Sequence, residues 1–334
     1  MATMNDVAKL AGVSRGTVSN YINGVKVKEA SQIKIQEAIE QLNYVPNNNA
    51  RALKLNRTNI IAFILPNTLS PFFSELTYYV QQEIESYGYK MLLCNSNNEI
   101  TKEIDYIKMV KEQKAAGIIT ISYSKLPLAL IEHIPMVSIE KQISSEIPCV
   151  TSDNYQGGYL AIQELVRRGA EKILIVTRTT ENSRINYGQR AKGAVQACID
   201  KEIDYELFSS NKHEKDFLKD LLIYTKNIFR KKYDYDGIFT VSDNYADYMN
   251  NILQELSIKV PDDIQIVGFD GSKMYQNQKR IISSIRQPVI DIARESVDIM
   301  MNVVEQSQYD KDRPHLVTLP VKFVEGKTTR SLDK

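Results

Sequence analysis

Apolar positions follow two different rules along this chain. Up to residue 44 they recur at helical spacing. Val7, Ala8, Leu10 and Ala11 mark one face of a first helix, and Val18, Tyr21 and Ile22 the inward face of a second. Ile33, Ile35, Ala38, Ile39 and Leu42 form the stripe of a third helix over 29–42. The spacing predicts three short helices around one small core. From residue 59 the apolar residues come in solid runs. These predict strands at 59–65, 90–94, 117–121, 136–139, 172–177, 237–240 and 264–269, with a last one near 321–325. Helices are predicted between them at 73–87, 102–113, 156–168, 189–198, 217–229 and 243–256. Solid apolar strands alternating with amphipathic helices imply parallel sheets covered on both faces. The alternation runs twice, which implies two sheets with a cleft between them. The fold class is an all-α helix-turn-helix head (1–46), a linker (47–57) and an α/β body (58–334). Ligands of such sheets bind beyond the carboxyl ends of the strands, which directs attention to 66–73, 122–125, 177–190, 242–243 and 270–271.

The turns of the head sharpen this picture. Thr3 with Asp6 three residues on reads as a helix start box. Gly12 ends the first helix, because glycine enters the left-handed region without cost. Val13 plugs back into the core, and Ser14 is placed to cap the second helix. Lys28 stands where a capping hydroxyl would serve the third helix better, so Ser31 offers an alternative start; Asn43-Tyr44-Val45-Pro46 ends that helix. The second helix turns Arg15, Gly16, Thr17, Ser19 and Asn20 outward. Mixed donors and acceptors on such a face suit a DNA major groove, the alternative being a helical hairpin that only packs. The linker has helix-forming residues but no core, and a short isolated helix is marginal in water. It is expected to order on DNA. Its Leu53 and Leu55 can either pack on the neighbouring domain or wedge into a minor groove, and the residues alone leave these readings even.

Charge points to a nucleic-acid partner for the head only. The 334-residue chain has net charge +1, yet residues 1–57 hold eight Lys and Arg against four acids, while 58–334 hold 34 basic and 37 acidic groups. Cys94, Cys149 and Cys198 are scattered without metal-ligand spacing and read as buried thiols in a reducing cytosol. Three histidines without paired spacing supply no metal site. No nucleophile elbow, Walker loop or glycine fingerprint follows a strand. The chain is therefore not read as an enzyme, and no catalytic residue, metal or cofactor is expected. No signal peptide precedes the head and no apolar run is long enough to span a bilayer, which favours a cytoplasmic protein over a secreted sugar carrier.

Several motifs now carry a family resemblance. In the head they are Asp6-Val7-Ala8 through Thr17-Val18-Ser19, Ile22-Asn23, Tyr44-Val45-Pro46-Asn47 and Ala50-Arg51-Ala52-Leu53. In the body they are Ser70-Pro71-Phe72-Phe73, Ser152-Asp153-Asn154 with Gly157-Gly158, Arg190 three before Gly193, Val260-Pro261-Asp262-Asp263-Ile264 and Val267-Gly268-Phe269-Asp270. Over nearly its whole length the chain resembles the LacI/GalR family of transcription regulators. That resemblance implies a homodimer in the bacterial cytoplasm, associated with the nucleoid, whose two heads read a near-palindromic double-stranded operator. Arg15, Gly16 and Asn20 occupy the positions that face bases. Many members carry Arg where this chain has Asn20, which puts the usual operator core in doubt. Leu53 falls on the leucine that members insert at the central base step, which favours the wedge. The candidate DNA-contacting residues are Ser14, Arg15, Gly16, Thr17, Ser19, Asn20, Asn23, Arg51, Leu53 and Lys54. The body is expected to be a two-lobed fold like periplasmic sugar-binding proteins, with lobe 1 at about 58–155 and 285–316 and lobe 2 at about 156–284 and 317–330. By position, Phe72, Phe73, Arg184, Arg190 and Asp270 are expected to line the cleft, with Asp243 nearby.

The chemistry of that cleft suits sugars. Arg190 donates in a planar fork, and Asp270 accepts from neighbouring hydroxyls. With no Trp in the chain, Phe72, Phe73 or Tyr187 must supply the aromatic platform. A second cation at Arg184 would admit a sugar phosphate. The expectation is a repressor released by a small sugar or sugar phosphate. The alternatives are a catabolite-control-type regulator with a phosphorylated carrier protein as corepressor, and a purine-type repressor that needs a corepressor. The short run after the last strand leaves no room for a leucine-heptad tail, so a dimer is expected over a tail-joined tetramer.

Overall fold

The computed structural model describes residues 2–22, 25–44, 57–178, 186–230, 235–273, 275, 277–306 and 315–332. The chain falls into two compact units, Met1–Thr58 and Asn59–Lys334.

The first unit contains α1 (Met4–Ala11), α2 (Arg15–Ile22) and α3 (Glu29–Gln41). Their core is Val7, Ala8, Ala11, Val18, Ile35, Ala38 and Tyr44. The start box forms: Thr3 accepts from the Asp6 amide, and the Asp6 carboxylate accepts from the Thr3 amide. Gly12 caps α1 at φ 63°, with nothing within 4 Å of where a Cβ would sit, so the glycine serves the backbone angle and not the space. Two apolar positions leave the core. Leu10 is 50 % exposed, because it lies roughly 100° round the helix from the face of Val7, Ala8 and Ala11. Ile33 is 57 % exposed, on the side of α3 opposite Ile35, Ala38 and Leu42. The third helix starts after Lys28, whose side chain makes no cap bond; Ser31 does not shift the start.

The second unit is built on two six-stranded sheets. Lobe 1 has the order β11-β5-β4-β3-β1-β2, all parallel. Its strands are β1 (Ile60–Leu65), β2 (Lys90–Asn95), β3 (Gly117–Thr120), β4 (Met136–Ile139), β5 (Cys149–Ser152) and β11 (Leu316–Leu319). Lobe 2 has the order β12-β10-β9-β8-β6-β7, parallel except where β12 runs against β10. Its strands are β6 (Lys172–Thr177), β7 (Asp204–Ser209), β8 (Gly237–Thr240), β9 (Gln265–Asp270), β10 (Ser283–Arg286) and β12 (Lys322–Val324). Helices α4 (Pro71–Ser86), α5 (Ile100–Glu112), α6 (Leu128–Ile131) and α11 (Val289–Gln306) belong with the first sheet. Helices α7 (Asn154–Arg167), α8 (Asn186–Asp200), α9 (Glu214–Phe229) and α10 (Asp243–Glu255) pack on the second.

The chain crosses between lobes three times, after β5, after β10 and after β11. Two crossings fall later than the pattern predicts. β10 lies wholly in lobe 2, so the division at 284/285 would cut through it, and β11 belongs to lobe 1 up to Leu319 and not only to 316. Most helices of the body also start two or three residues early. α7 begins at Asn154, its first turn set by Asp153 accepting from the Gln156 amide, and α9 begins at Glu214. First turns are polar, so apolar periodicity cannot register them.

Candidate functional site

A cavity of about 880 Å³ lies between the carboxyl ends of the two sheets. Lobe 1 supplies Phe72 and Phe73 from the first turn of α4, Tyr123 after β3 and Glu140 after β4. Lobe 2 supplies Arg178 after β6, Tyr187 and Arg190 from α8, and Asp270 at the end of β9. The Phe72 and Phe73 rings sit 5.4 Å apart and tilted, Phe72 buried in the lobe 1 core and Phe73 half-buried.

Arg190 is the centre of the site. Its Nε donates to Asn154 Oδ1 at 2.7 Å, and its Nη1 donates to the Val241 carbonyl at 2.8 Å and to Asp270 Oδ1 at 3.2 Å. Nη2 lies 3.6 Å from Glu140 Oε2 and makes no hydrogen bond among the described residues. The guanidinium stacks 3.7 Å from the Phe269 ring centroid. Glycines make this placement possible. A Cβ on Gly158 would stand 1.9 Å from the Arg190 carbonyl oxygen, and one on Gly193 would stand 1.9 Å from that of Tyr155. Helices α7 and α8 therefore touch backbone to backbone at the turn that carries Arg190.

Two carboxylates face that arginine from opposite lobes. Asp270 Oδ1 also accepts from Gln287 Nε2 at 2.7 Å, while Oδ2 has no partner among the described residues. Burial pushes the Asp270 carboxyl up to about 6, against the pull of Arg190 and of the Gln287 bond. Glu140 is almost fully buried; its Oε1 accepts from the Ser152 amide at 3.0 Å and its Oε2 from Asn186. Both residues hold positive φ, 68° for Glu140 and 111° for Asp270. Non-glycine strain of this kind persists where the surroundings impose it, and it gathers at functional sites. Ser152 Oγ donates to Gln287 Oε1 at 2.7 Å, closing a ring of polar contacts through two of the lobe crossings.

A second tie between the lobes lies beside this ring. Arg286, at the end of β10, donates to Glu75 of α4 in a fork, at 2.8 and 2.5 Å, and to Ser272 Oγ at 2.8 Å.

The residues expected from sequence fare differently. Phe72, Phe73, Arg190, Asp243 and Asp270 all line the cavity. Asp243, however, is turned to its own lobe: its oxygens accept from Ser284 Oγ at 2.6 Å and from the Gly271 amide at 2.8 Å. Burial and the Asp270 charge raise its carboxyl well above the usual range. It therefore supports the β9 turn rather than offering open acceptors. Arg184 lies outside the described residues. Glu140, Tyr123 and Arg178 are additional. Tyr123 and Arg178 fall within the post-strand segments already singled out, and the same rule applied to the short β4 would have found Glu140. The three cysteines are buried, and burial pushes Cys94 up to about 11 and Cys149 and Cys198 to about 12, so none is a poised thiolate.

In the head, α2 exposes Ser14, Arg15, Gly16 and Asn20, while Thr17 and Ser19 are half-buried. Ser14 is the helix cap: its Oγ accepts from the Thr17 amide at 3.1 Å and pairs with Thr17 Oγ1 at 2.8 Å. That leaves Arg15 and Asn20 as the long polar side chains on the open face. Lys9, Lys26, Lys28 and Lys34 are exposed on the same unit and suit phosphate contacts. Asn23, Arg51, Leu53 and Lys54 lie outside the described residues. No helix among the described residues is long and apolar enough to cross a membrane.

Residues 3–47 match the family described as bacterial regulatory proteins, lacI family, and residues 58–327 match periplasmic binding proteins and sugar binding domain of LacI family. A sucrose operon repressor of Pediococcus pentosaceus is 32 % identical, the match covering 97 % of this chain and 98 % of that protein. A ribose operon repressor of Halalkalibacterium halodurans is 31 % identical, covering 99 % and 98 %. Among solved structures, the Lac repressor dimer bound to operator and the anti-inducer ONPF superimposes with a TM-score of 0.82 at 19 % identity, covering 99 % of each chain, a likeness of fold alone.

Proposed function

The chain belongs to the LacI family of bacterial regulators, a DNA-binding repressor and not an enzyme, and from that premise we propose that it represses a carbohydrate-utilisation operon and leaves its operator when a sugar or sugar phosphate fills the cleft. Its relatives named for sucrose and ribose operons support the carbohydrate reading. The observation that carries it is the pairing at the centre of the cleft. Arg190 Nη2 and Asp270 Oδ2 make no hydrogen bond among the described residues, and as donor and acceptor they line one cavity with Phe72 and Phe73. Adjacent hydroxyls on an apolar ring face call for that combination.

Mechanism follows from where the parts sit. A ligand held by lobe 1 rings and lobe 2 polar groups binds one lobe arrangement better than others, and its differential affinity is the energy available to shift the body. The chain acts as a homodimer in the bacterial cytoplasm, on the nucleoid. Its two 47–57 segments meet at the operator centre, with Leu53, Arg51 and Lys54 on DNA, and they respond to the lobe arrangement. Coupling of this kind is typically about 1–3 kcal/mol and is reciprocal: operator must weaken effector binding by the same factor. The test is fluorescence anisotropy on a palindromic duplex selected in vitro, titrated with saccharides at fixed salt. Release by one of them is expected, together with a steep fall of operator affinity with salt. Tightening in place of release would overturn the inducer reading in favour of a corepressor.

A further inference from the structure

The lobe 1 wall of the cleft is braced from behind by two charged residues that do not line it, Glu103 and Lys141. Glu103 sits in the first turn of α5, where the helix dipole favours a negative charge, and it is only 2 % exposed. One of its oxygens accepts from Ser122 Oγ at 2.5 Å, and the other from Ser124 Oγ at 3.1 Å. These two serines flank Tyr123. With both hydroxyls drawn to one carboxylate, the side chain between them is left to the other side, and Tyr123 lines the cavity. Lys141 completes the brace from the end of the neighbouring strand β4. Its Nζ donates to the Tyr123 carbonyl at 2.8 Å and to the Ser124 carbonyl at 3.0 Å. Its amide donates to the Ile139 carbonyl at 2.8 Å, which makes Glu140 the middle residue of a three-residue turn at φ 68°. A turn of that hand is rare and strained, and it persists where neighbouring contacts hold it. The Lys141 side chain holds it on one side, and the Ser152 amide on the other.

We infer that Glu103 and Lys141 are positioning residues of the effector site: together they clamp the 122–124 loop and the Glu140 turn into one unit, so that Tyr123 and Glu140 meet lobe 2 in a preset geometry. This rests on the reading of the cleft as the effector site and adds the residues that hold its lobe 1 wall. The two act through Tyr123 and Glu140. Apolar side chains would fill the same space at a smaller desolvation cost, but their attraction has no direction and would not orient the loop. A wall ordered in advance raises affinity, because the ordering cost is removed from the binding step.

The test uses the full-length protein. The chain has no Trp, so Tyr123→Trp introduces a single indole, and acrylamide quenching of its emission reads how tightly the 122–124 loop is held. In that background Glu103→Leu and Lys141→Met are each expected to raise the quenching constant about twofold or more, by local opening. Glu103→Gln keeps an acceptor for one serine and should raise it less. Ile84→Ala is the control: it opens the lobe 1 core at the other end of α4 from the cleft, so it lowers the melting temperature and leaves quenching unchanged. Lower melting temperatures with parental quenching in Glu103→Leu and Lys141→Met, measured where each is fully folded, overturn the inference. If Glu103→Leu does not fold, Lys141→Met decides alone, since that side chain is only half-buried. With Tyr123 intact, isothermal titration with sucrose, maltose, D-ribose, D-glucose and glucose 6-phosphate supplies the functional arm. A ligand that binds the parental protein should bind Lys141→Met about tenfold more weakly; equal affinity overturns the positioning role. Binding of none of the five counts against the sugar reading of the cleft, and the quenching comparison still decides whether Glu103 and Lys141 hold the wall.

Discussion

Gly158→Ala probes whether the close approach of α7 and α8 is what positions Arg190. The new Cβ would lie 1.9 Å from the Arg190 carbonyl oxygen, 2.7 Å from its carbon and 3.1 Å from the Ala194 nitrogen. All three are backbone atoms, so no rotamer change relieves the clash. An ordinary carbon–oxygen approach is about 3.3 Å, which requires the helices to part by about 1.4 Å. The Arg190 Nε to Asn154 Oδ1 bond, 2.7 Å long, spans the same two helices, and an equal displacement takes it past the roughly 3.5 Å limit of a hydrogen bond. Overpacking of this kind costs about 1–3 kcal/mol. At ~2–4 °C per kcal/mol for a large domain, the body should melt about 2–12 °C lower. Effector response should suffer more than stability does, because the site is displaced directly. Differential scanning fluorimetry gives the first quantity, and operator release against effector concentration gives the second, with a midpoint at least about tenfold higher expected. A variant with the parental melting temperature refutes the packing argument. One that melts lower yet keeps the parental midpoint refutes the claim that this contact places Arg190.

Three further outcomes follow from the same geometry. Asp270 is held up to about 6 by burial. As a carboxyl raised above its unfolded value, it costs the unliganded body stability above that pH, and this cost is relieved as pH falls from 7 toward 4. Effector affinity moves the other way, falling as pH drops through about 6 because the ligand's hydroxyls need the ionised acceptor; titration at pH 5 and 8 should show the fall, and Asp270→Asn should abolish the step. Glu75→Gln breaks the forked tie to Arg286, whose side chains are 24 % and 15 % exposed. For a partly screened pair the cost is about 1–2 kcal/mol, and a double-mutant cycle with Arg286→Met should be non-additive; simple additivity in melting free energy means the lobes are not coupled there. Ser14→Ala removes the cap of α2 and should cost the head about 1 kcal/mol, read as reduced operator affinity at all effector concentrations; an unchanged isotherm would show that DNA contacts alone hold the helix start.

How much of this was legible in the residue pattern depends on the range of the interaction concerned. The Thr3–Asp6 box, the Gly12 stop and the Ser14 cap each join groups within three residues, so spacing and residue type are enough to read them. The apolar runs at 60–65 and 172–177 carry the sheets for the same reason: a strand buried on both faces must be apolar throughout. Stripes were less reliable at their margins, as Leu10 and Ile33 show, because periodicity marks an apolar residue without saying whether a partner covers it.

The cleft belongs to the other category. Glu140 reaches Arg190 across fifty positions of chain, Asp270 across eighty, and Ser152 meets Gln287 across 135. No local rule couples such residues. They meet because two parallel sheets place their carboxyl ends face to face and the chain passes between them three times. The sequence by itself determined the head, the strands and the class of protein, since those follow from contacts one turn or one strand long. Only the tertiary structure decided which carboxylates face Arg190 and that Asp243 serves its own lobe, because a charge acquires its partner and its desolvation only when distant segments close around it.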